Sequence, residues 1–145
     1  MRKVRTITFS VKRLSNNINR LLDSYPIQSI DMQLTGRQCG IINYIGDRFT
    51  NQDIFQKDIE SEFNIRRSTA TGILQIMEKN GLIKRESLTC DARLKRIILT
   101  QKGINTKTEV EQKMNKAEAK VTKNLTTEEI DIFYEIIDKI SKELE

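Results

Sequence analysis

From Asn64 to Gly103 the chain reads NIRRSTATGILQIMEKNGLIKRESLTCDARLKRIILTQKG. Two periodicities meet in this stretch. Ala70, Ile73, Leu74 and Met77 recur at helical spacing and predict a helix from about Arg67 to Asn80. Asn64-Ile65-Arg66 ahead of it reads as a tight turn, because Asn tolerates a left-handed backbone. Gly81 is a natural C′ residue behind it. The period then drops to two. Ile83 to Leu88 and Leu94 to Leu99 form two short strands around the polar tip Thr89 to Arg93, which is a β-hairpin with basic strands.

Upstream, Gln56 to Phe63 reads as a short helix with Ile59 and Phe63 on one side, and Ile54-Phe55 as a very short strand. Short helix, tight turn, longer helix and basic hairpin together make a winged helix-turn-helix. In that arrangement the second helix presents its N-terminal side chains to base edges and the first braces it across the backbone. Arg66, Arg67, Ser68, Thr69, Thr71 and Gln75 can all donate hydrogen bonds from the first turn or the outward face. The helix N-terminus adds backbone N–H groups suited to phosphate.

Charge agrees with this placement. Residues 64–102 hold nine basic side chains against three acidic, and residues 1–25 hold six against one. Residues 26–63 and 103–145 are both net acidic. A compact excess of Lys and Arg is the electrostatic footprint of a phosphate-binding surface.

The ends of the chain carry narrow apolar seams. Val4, Ile7, Val11, Leu14, Ile18, Leu21 and Tyr25 step by three and four until Pro26. Thr35 reads as the N-cap of a helix to about Asp47, with Cys39, Ile42 and Ile45 inward. Thr100 caps a long polar helix to about Asn124, whose sparse apolar positions are Ile104, Val110, Met114, Ala117 and Val121. Thr126 and Glu129 form a capping box, and Leu125 and Ile130 stand where a hydrophobic staple would. Ile130, Phe133, Ile137, Ile140 and Leu144 then repeat the seam.

The chain has 145 residues, about the length of one domain. A hydrophobic share of 37% is thin for that length. We therefore expect an elongated, mainly α fold with a small β-wing and some apolar surface covered by a partner. The organisation is a single domain over 1–145. Helices in 1–25 and 101–145 serve dimerisation, and 35–100 is the winged helix-turn-helix lobe.

Composition narrows the function classes. Histidine is absent, which removes Ser-His and Cys-His nucleophile pairs and His-ligated zinc. Cys39 and Cys90 are too far apart for a Cys-x-x-Cys site. Cys39 reads as a small core residue and Cys90 as an exposed thiol without a resolving partner. The longest apolar run is Ile97-Ile98-Leu99, far short of a membrane span, and Met1 to Leu14 lacks the apolar stretch of a secretory signal. The expectation is a cytoplasmic protein with no cofactor, no metal and no membrane partner. It is not an enzyme, since a glycine-rich phosphate loop and a convincing carboxylate pair are also missing.

The segment Ile65 to Ile83 followed by Asp91-Ala-Arg-Leu-Lys-Arg-Ile-Ile-Leu-Thr-Gln-Lys-Gly103 resembles the MarR family of bacterial transcription factors. The second part fits the family's D-x-R-x-K-x-x-x-L-T-x-x-G wing signature at every fixed position. The resemblance implies a homodimer on a pseudo-palindromic double-stranded operator, with half-sites about ten base pairs apart. It implies a repressor relieved by a small ligand or a stress signal. Arg93 would enter the minor groove, and Asp91 would orient its guanidinium. Arg85 and Lys95 on the strands complete the DNA-binding set. Gly72 stands where the family often has an arginine, so base readout at that position is not inherited. Ligand pockets in the family lie between dimerisation helices and DNA-binding lobe, which nominates Arg13, Asn17, Arg20 and Tyr44. The alternative is a winged-helix interaction module that no longer binds DNA, and the intact basic wing argues against it.

Overall fold

The computed structural model describes residues 5–30 and 33–145. Among the described residues six helices and one hairpin follow in order: α1 (Ile7–Asp23), α2 (Gly36–Arg48), α3 (Gln56–Glu62), α4 (Arg67–Lys79), β1 (Ile83–Ser87), β2 (Lys95–Leu99), α5 (Gln101–Thr122) and α6 (Thr127–Lys142). The fold is mainly α with a small antiparallel wing, as the periodicity predicts.

Capping residues start four of the helices. The Thr6, Thr35, Thr100 and Thr126 hydroxyls each accept a backbone N–H from the first turn. Thr35 and Thr126 complete capping boxes with Gln38 and Glu129. Asn64 takes a positive φ of 46° in the turn between α3 and α4. Gly81, at φ 74°, closes α4 in a Schellman pattern. Its N–H reaches the Glu78 carbonyl, and the Leu82 N–H reaches Met77.

One core joins the lobe to α5. Ile41, Ile42 and Ile45 from α2 meet Ile59, Leu74 and Met77 from α3 and α4. Leu82, Ile83 and Ile97 from the base of the wing and Val110 from α5 close it. The first and last helices stand largely outside. Ile7, Val11 and Leu14 of α1 are exposed, and Leu22, which lies off the expected stripe, is the residue α1 buries. No residue of α6 is buried, and Phe133 and Ile137 face solvent. Val4, the first member of the expected N-terminal seam, lies outside the described residues.

Two sequence expectations are revised. Ile54-Phe55 forms no strand; it contributes a single ladder-like bond, in which the Ile97 N–H donates to the Ile54 carbonyl at 2.7 Å. Ile104 and Val121 of α5 are exposed, while Gly103, Thr106 and Lys113 are buried with Val110 and Ala117. Thr106 goes inward because its hydroxyl is satisfied there: it donates to the Lys102 carbonyl at 2.8 Å and lies 3.0 Å from the Ser29 hydroxyl. Among the described residues no helix is long and apolar enough to cross a membrane.

Candidate nucleic-acid interface

The helix that the sequence nominates for base readout is α4 (Arg67–Lys79). Ala70, Leu74 and Met77 turn into the core, which leaves Arg66, Arg67, Ser68 and Gln75 exposed. Thr69, Thr71 and Gly72 are half-buried. Arg66 occupies the N-cap with an extended backbone, and its side chain makes no capping bond. The first-turn N–H groups of α4 are therefore not taken up by a side-chain cap and remain suited to an anion.

α3 braces this helix through one side chain. The Gln56 amide donates to the Thr71 hydroxyl at 2.9 Å and to the Arg67 carbonyl at 3.4 Å. Thr71 is thus partly engaged inside the protein, and its hydroxyl proton is what it retains for an outside acceptor. A Cβ at Gly72 would meet nothing within 4 Å, so the helix surface is bare there.

The wing pairs Ile83 with Leu99, Arg85 with Ile97, Glu86 with Arg96 and Ser87 with Lys95. Beyond Ser87 one more bond runs from the Leu88 N–H to the Leu94 carbonyl at 3.1 Å. The tip carries Asp91 and Arg93, both exposed, and Lys95 is exposed at its base. Asp91 does not hold the Arg93 guanidinium. Its carboxylate accepts from the Arg93 backbone N–H at 2.9 Å, and the Leu94 N–H donates to the Asp91 carbonyl at 3.1 Å. Asp91 shapes the turn that carries Arg93.

The basic block divides into engaged and available cations. Arg85 lies 3.3 Å from Glu78 of α4, with its side chain only 25% exposed. It ties the wing to α4. Arg96 donates to Glu86 from Nε and Nη2 at 3.1 and 3.0 Å, and to Asp53 from Nη1 at 3.1 Å. Hydrogen bonds from Arg96 and then Lys84 hold the Glu86 carboxyl below its ordinary range, and Glu86 and then Asp53 push the Arg96 guanidinium up. Among the described residues, Arg66, Arg67, Arg93 and Lys95 have no acidic partner within 4 Å. The roles of Gln56, Asp53, Glu86 and Glu78 were not anticipated. The hairpin register alone places Glu86 opposite Arg96, but Asp53 arrives from a distant loop.

The nominated ligand residues are not brought together. Arg13, Asn17 and Arg20 are exposed along α1. Tyr44 packs edge-on against Phe63 at 5.9 Å, with the Arg48 guanidinium 4.2 Å from its ring centre. Burial, and then Asp58, raise the Tyr44 phenol above its usual range. Two clefts lie near the end of α1. A cleft of about 770 Å³ runs between Asn19 and Asp23, the start of α2 at Thr35 to Gln38, and Ile73 and Ile76 of α4. A smaller one, about 310 Å³, is lined by Asp23, Tyr25, Ile27, Ile30, Leu34 and Lys113. Lys113 is 4% exposed. Cys39 is buried near this charge and Cys90 is exposed; burial pushes the Cys39 thiol up despite the Lys113 ammonium.

A model of the MarR family matches residues 32–94. The transcription regulator MarR from Oenococcus oeni PSU-1 is 31% identical, with a TM-score of 0.77 over 94% of this chain and 99% of that one. The Staphylococcus aureus MepR–DNA complex superposes with a TM-score of 0.85 at 21% identity, over 97% of each chain. The PcaV transcriptional regulator from Streptomyces coelicolor, in complex with its natural ligand, gives 0.83 at 16% identity over all of both chains.

Proposed function

The chain belongs to the MarR family of transcription regulators, and from that membership we propose that it binds double-stranded DNA as a homodimer. The observation that supports this best is the uncapped N-terminus of α4 with Arg66 and Arg67, set in one lobe with a wing tipped by Arg93. Arginine reads guanine edges bidentately in the major groove, and a wing arginine suits the negative potential of a narrow minor groove. Ser68, Thr69, Thr71 and Gln75 supply further contacts from α4, and Lys95 supplies one from the wing. Gly72 lets the α4 backbone approach closely without contributing a side chain. Arg85, held by Glu78, supports the wing.

The apolar surfaces of α1 and α6 support the dimer. Ile7, Val11, Leu14, Phe133 and Ile137 are all more than two-fifths exposed in the single chain. A patch of that kind on a small protein marks an interface. A two-fold pair of α4 helices calls for a pseudo-palindromic operator.

The protein acts as a cytoplasmic repressor relieved by a small effector in the clefts beside Asp23, between α1 and the lobe. MepR carries this fold on DNA, and PcaV carries it with a ligand. Fluorescence anisotropy on a duplex selected by the protein from a random pool tests the reading. Binding that weakens steeply with salt, and weakens further in Arg66→Ala and Arg93→Ala, supports it. Failure to select any sequence returns the chain to the class of interaction modules.

A further inference from the structure

We propose that Arg96 is a positioning residue for DNA binding. Clasped by Glu86 and Asp53, it fixes the wing against the loop between α2 and α3 and so sets where Arg93 is presented. This rests on the DNA-binding reading above.

Arg96 has the charge of a DNA contact but not the freedom of one. Three of its guanidinium nitrogens or Nε positions are committed, two to one Glu86 oxygen and one to Asp53. Lys84 approaches the other Glu86 oxygen at 3.3 Å. Two cations and two anions therefore neutralise one another in a single network. Isolated surface pairs contribute little, but a network that joins separate segments limits their relative motion. Here the segments are both wing strands and the loop bearing Asp53.

Position in the hairpin gives the network leverage. Ile83, Ile97 and Leu99 root the strands in the core, and the Ile97 N–H bond to the Ile54 carbonyl ties the same loop. The Glu86–Arg96 rung lies one residue further out. Past it, residues 89–95 are all exposed. Arg93 stands three residues beyond Arg96, in the turn at the hairpin tip. A small rotation at the rung therefore displaces Arg93 more than it displaces the rung.

The competing account is bulk charge. On that account Asp53 and Glu86 repel phosphate, and their neutralisation tightens binding. Positioning predicts the opposite sign, through Arg93. The test measures affinity for the selected duplex in wild type, Asp53→Ala, Arg93→Ala and the double variant. Asp53→Ala, which removes the acceptor of the Arg96 bond as well as its charge, is expected to weaken binding about fivefold, with an unchanged salt slope, and to have no effect in the Arg93→Ala background. Equal or tighter binding by Asp53→Ala, or an undiminished loss in the double variant, overturns the proposal. Amide exchange of the protein without DNA supplies the independent arm. Arg96→Gln is expected to speed exchange at the Leu88 and Ile97 N–H groups while α4 is unaffected. Unchanged exchange there overturns the clasp. Faster exchange in a protein that selects no DNA keeps the clasp and removes the DNA-binding reading instead.

Discussion

Gly103 at the start of α5 lies so close to Leu82 that a Cβ on it would overlap the Leu82 carbonyl. The same carbonyl accepts the Thr100 N–H at 3.1 Å, and the Thr100 hydroxyl accepts the Gly103 N–H at 3.0 Å. The L-T-x-x-G end of the wing signature is thus a docking joint. Leu99 is buried, Thr100 caps α5, and Gly103 lets the helix seat on the end of α4.

Gly103→Ala is therefore expected to destabilise the protein by about 1–3 kcal/mol, since neither a backbone carbonyl nor a capped helix start moves freely. Gly72→Ala is expected to do the reverse. Its Cβ meets open space on a helix, where alanine gains up to ~1 kcal/mol over glycine. Urea unfolding of both variants checks the pair. Equal effects at the two glycines would remove the packing explanation.

Phe133→Asp and Ile137→Asp should convert a dimer to monomers without unfolding the lobe, because α6 supplies nothing to the buried core. Sedimentation at micromolar concentration reads the mass, and circular dichroism reads the helices. A variant that stays dimeric would move the interface to another surface.

Much of this architecture was legible locally. The Thr126–Glu129 box, the positive-φ residues Asn64 and Gly81, and the change from helical to strand period around Ile83 each depend on neighbours in sequence. What could not be read depends on distant partners. Lys113 and Thr106 are polar and yet buried, since α5 meets the segment after α1 only in the folded chain. In sequence Arg96 is one more member of a basic block; the fold sets Asp53, 43 residues away, against it. Likewise, Arg13, Asn17 and Arg20 share a helix face, but the clefts open beside Asn19 and Asp23, which lie off it.

Glu109 ties the segment after α1 to α5, accepting the Gln28 and Ser29 N–H groups at 3.0 and 2.9 Å. Hydrogen bonding from Ser29, side chain first and then backbone, lowers its carboxyl below the ordinary range. A depressed folded value means that this contribution is present above the unfolded carboxylate range and is lost as pH falls through the folded value. Glu109→Gln should cost about 0.5–1 kcal/mol at neutral pH after allowance for solvent screening. The gap from wild type should close in acid. Denaturation midpoints of both proteins across pH 3 to 7, roughly the range where a carboxylate titrates, read this. A gap independent of pH would show that the charge is immaterial.

Asp91 gives the sharpest test of the wing, because its carboxylate bonds the Arg93 backbone rather than the guanidinium. Three accounts of this acid make different predictions for two variants. If it orients the guanidinium by charge, Asp91→Ala and Asp91→Asn both weaken DNA binding. If it acts only as a negative charge near phosphate, both tighten it. If it holds the tip through the Arg93 N–H, an asparagine oxygen can still accept that bond. Asp91→Ala then weakens binding, while Asp91→Asn keeps the turn and, with one less negative charge, binds as tightly as wild type or more so. The observed 2.9 Å bond selects the third outcome. Arg93→Ala should abolish the difference between the two Asp91 variants and reduce the salt slope by roughly one counterion per subunit. Salt titration of these variants on one selected duplex distinguishes the three accounts, and a loss in Asp91→Asn equal to that in Asp91→Ala would restore the guanidinium role.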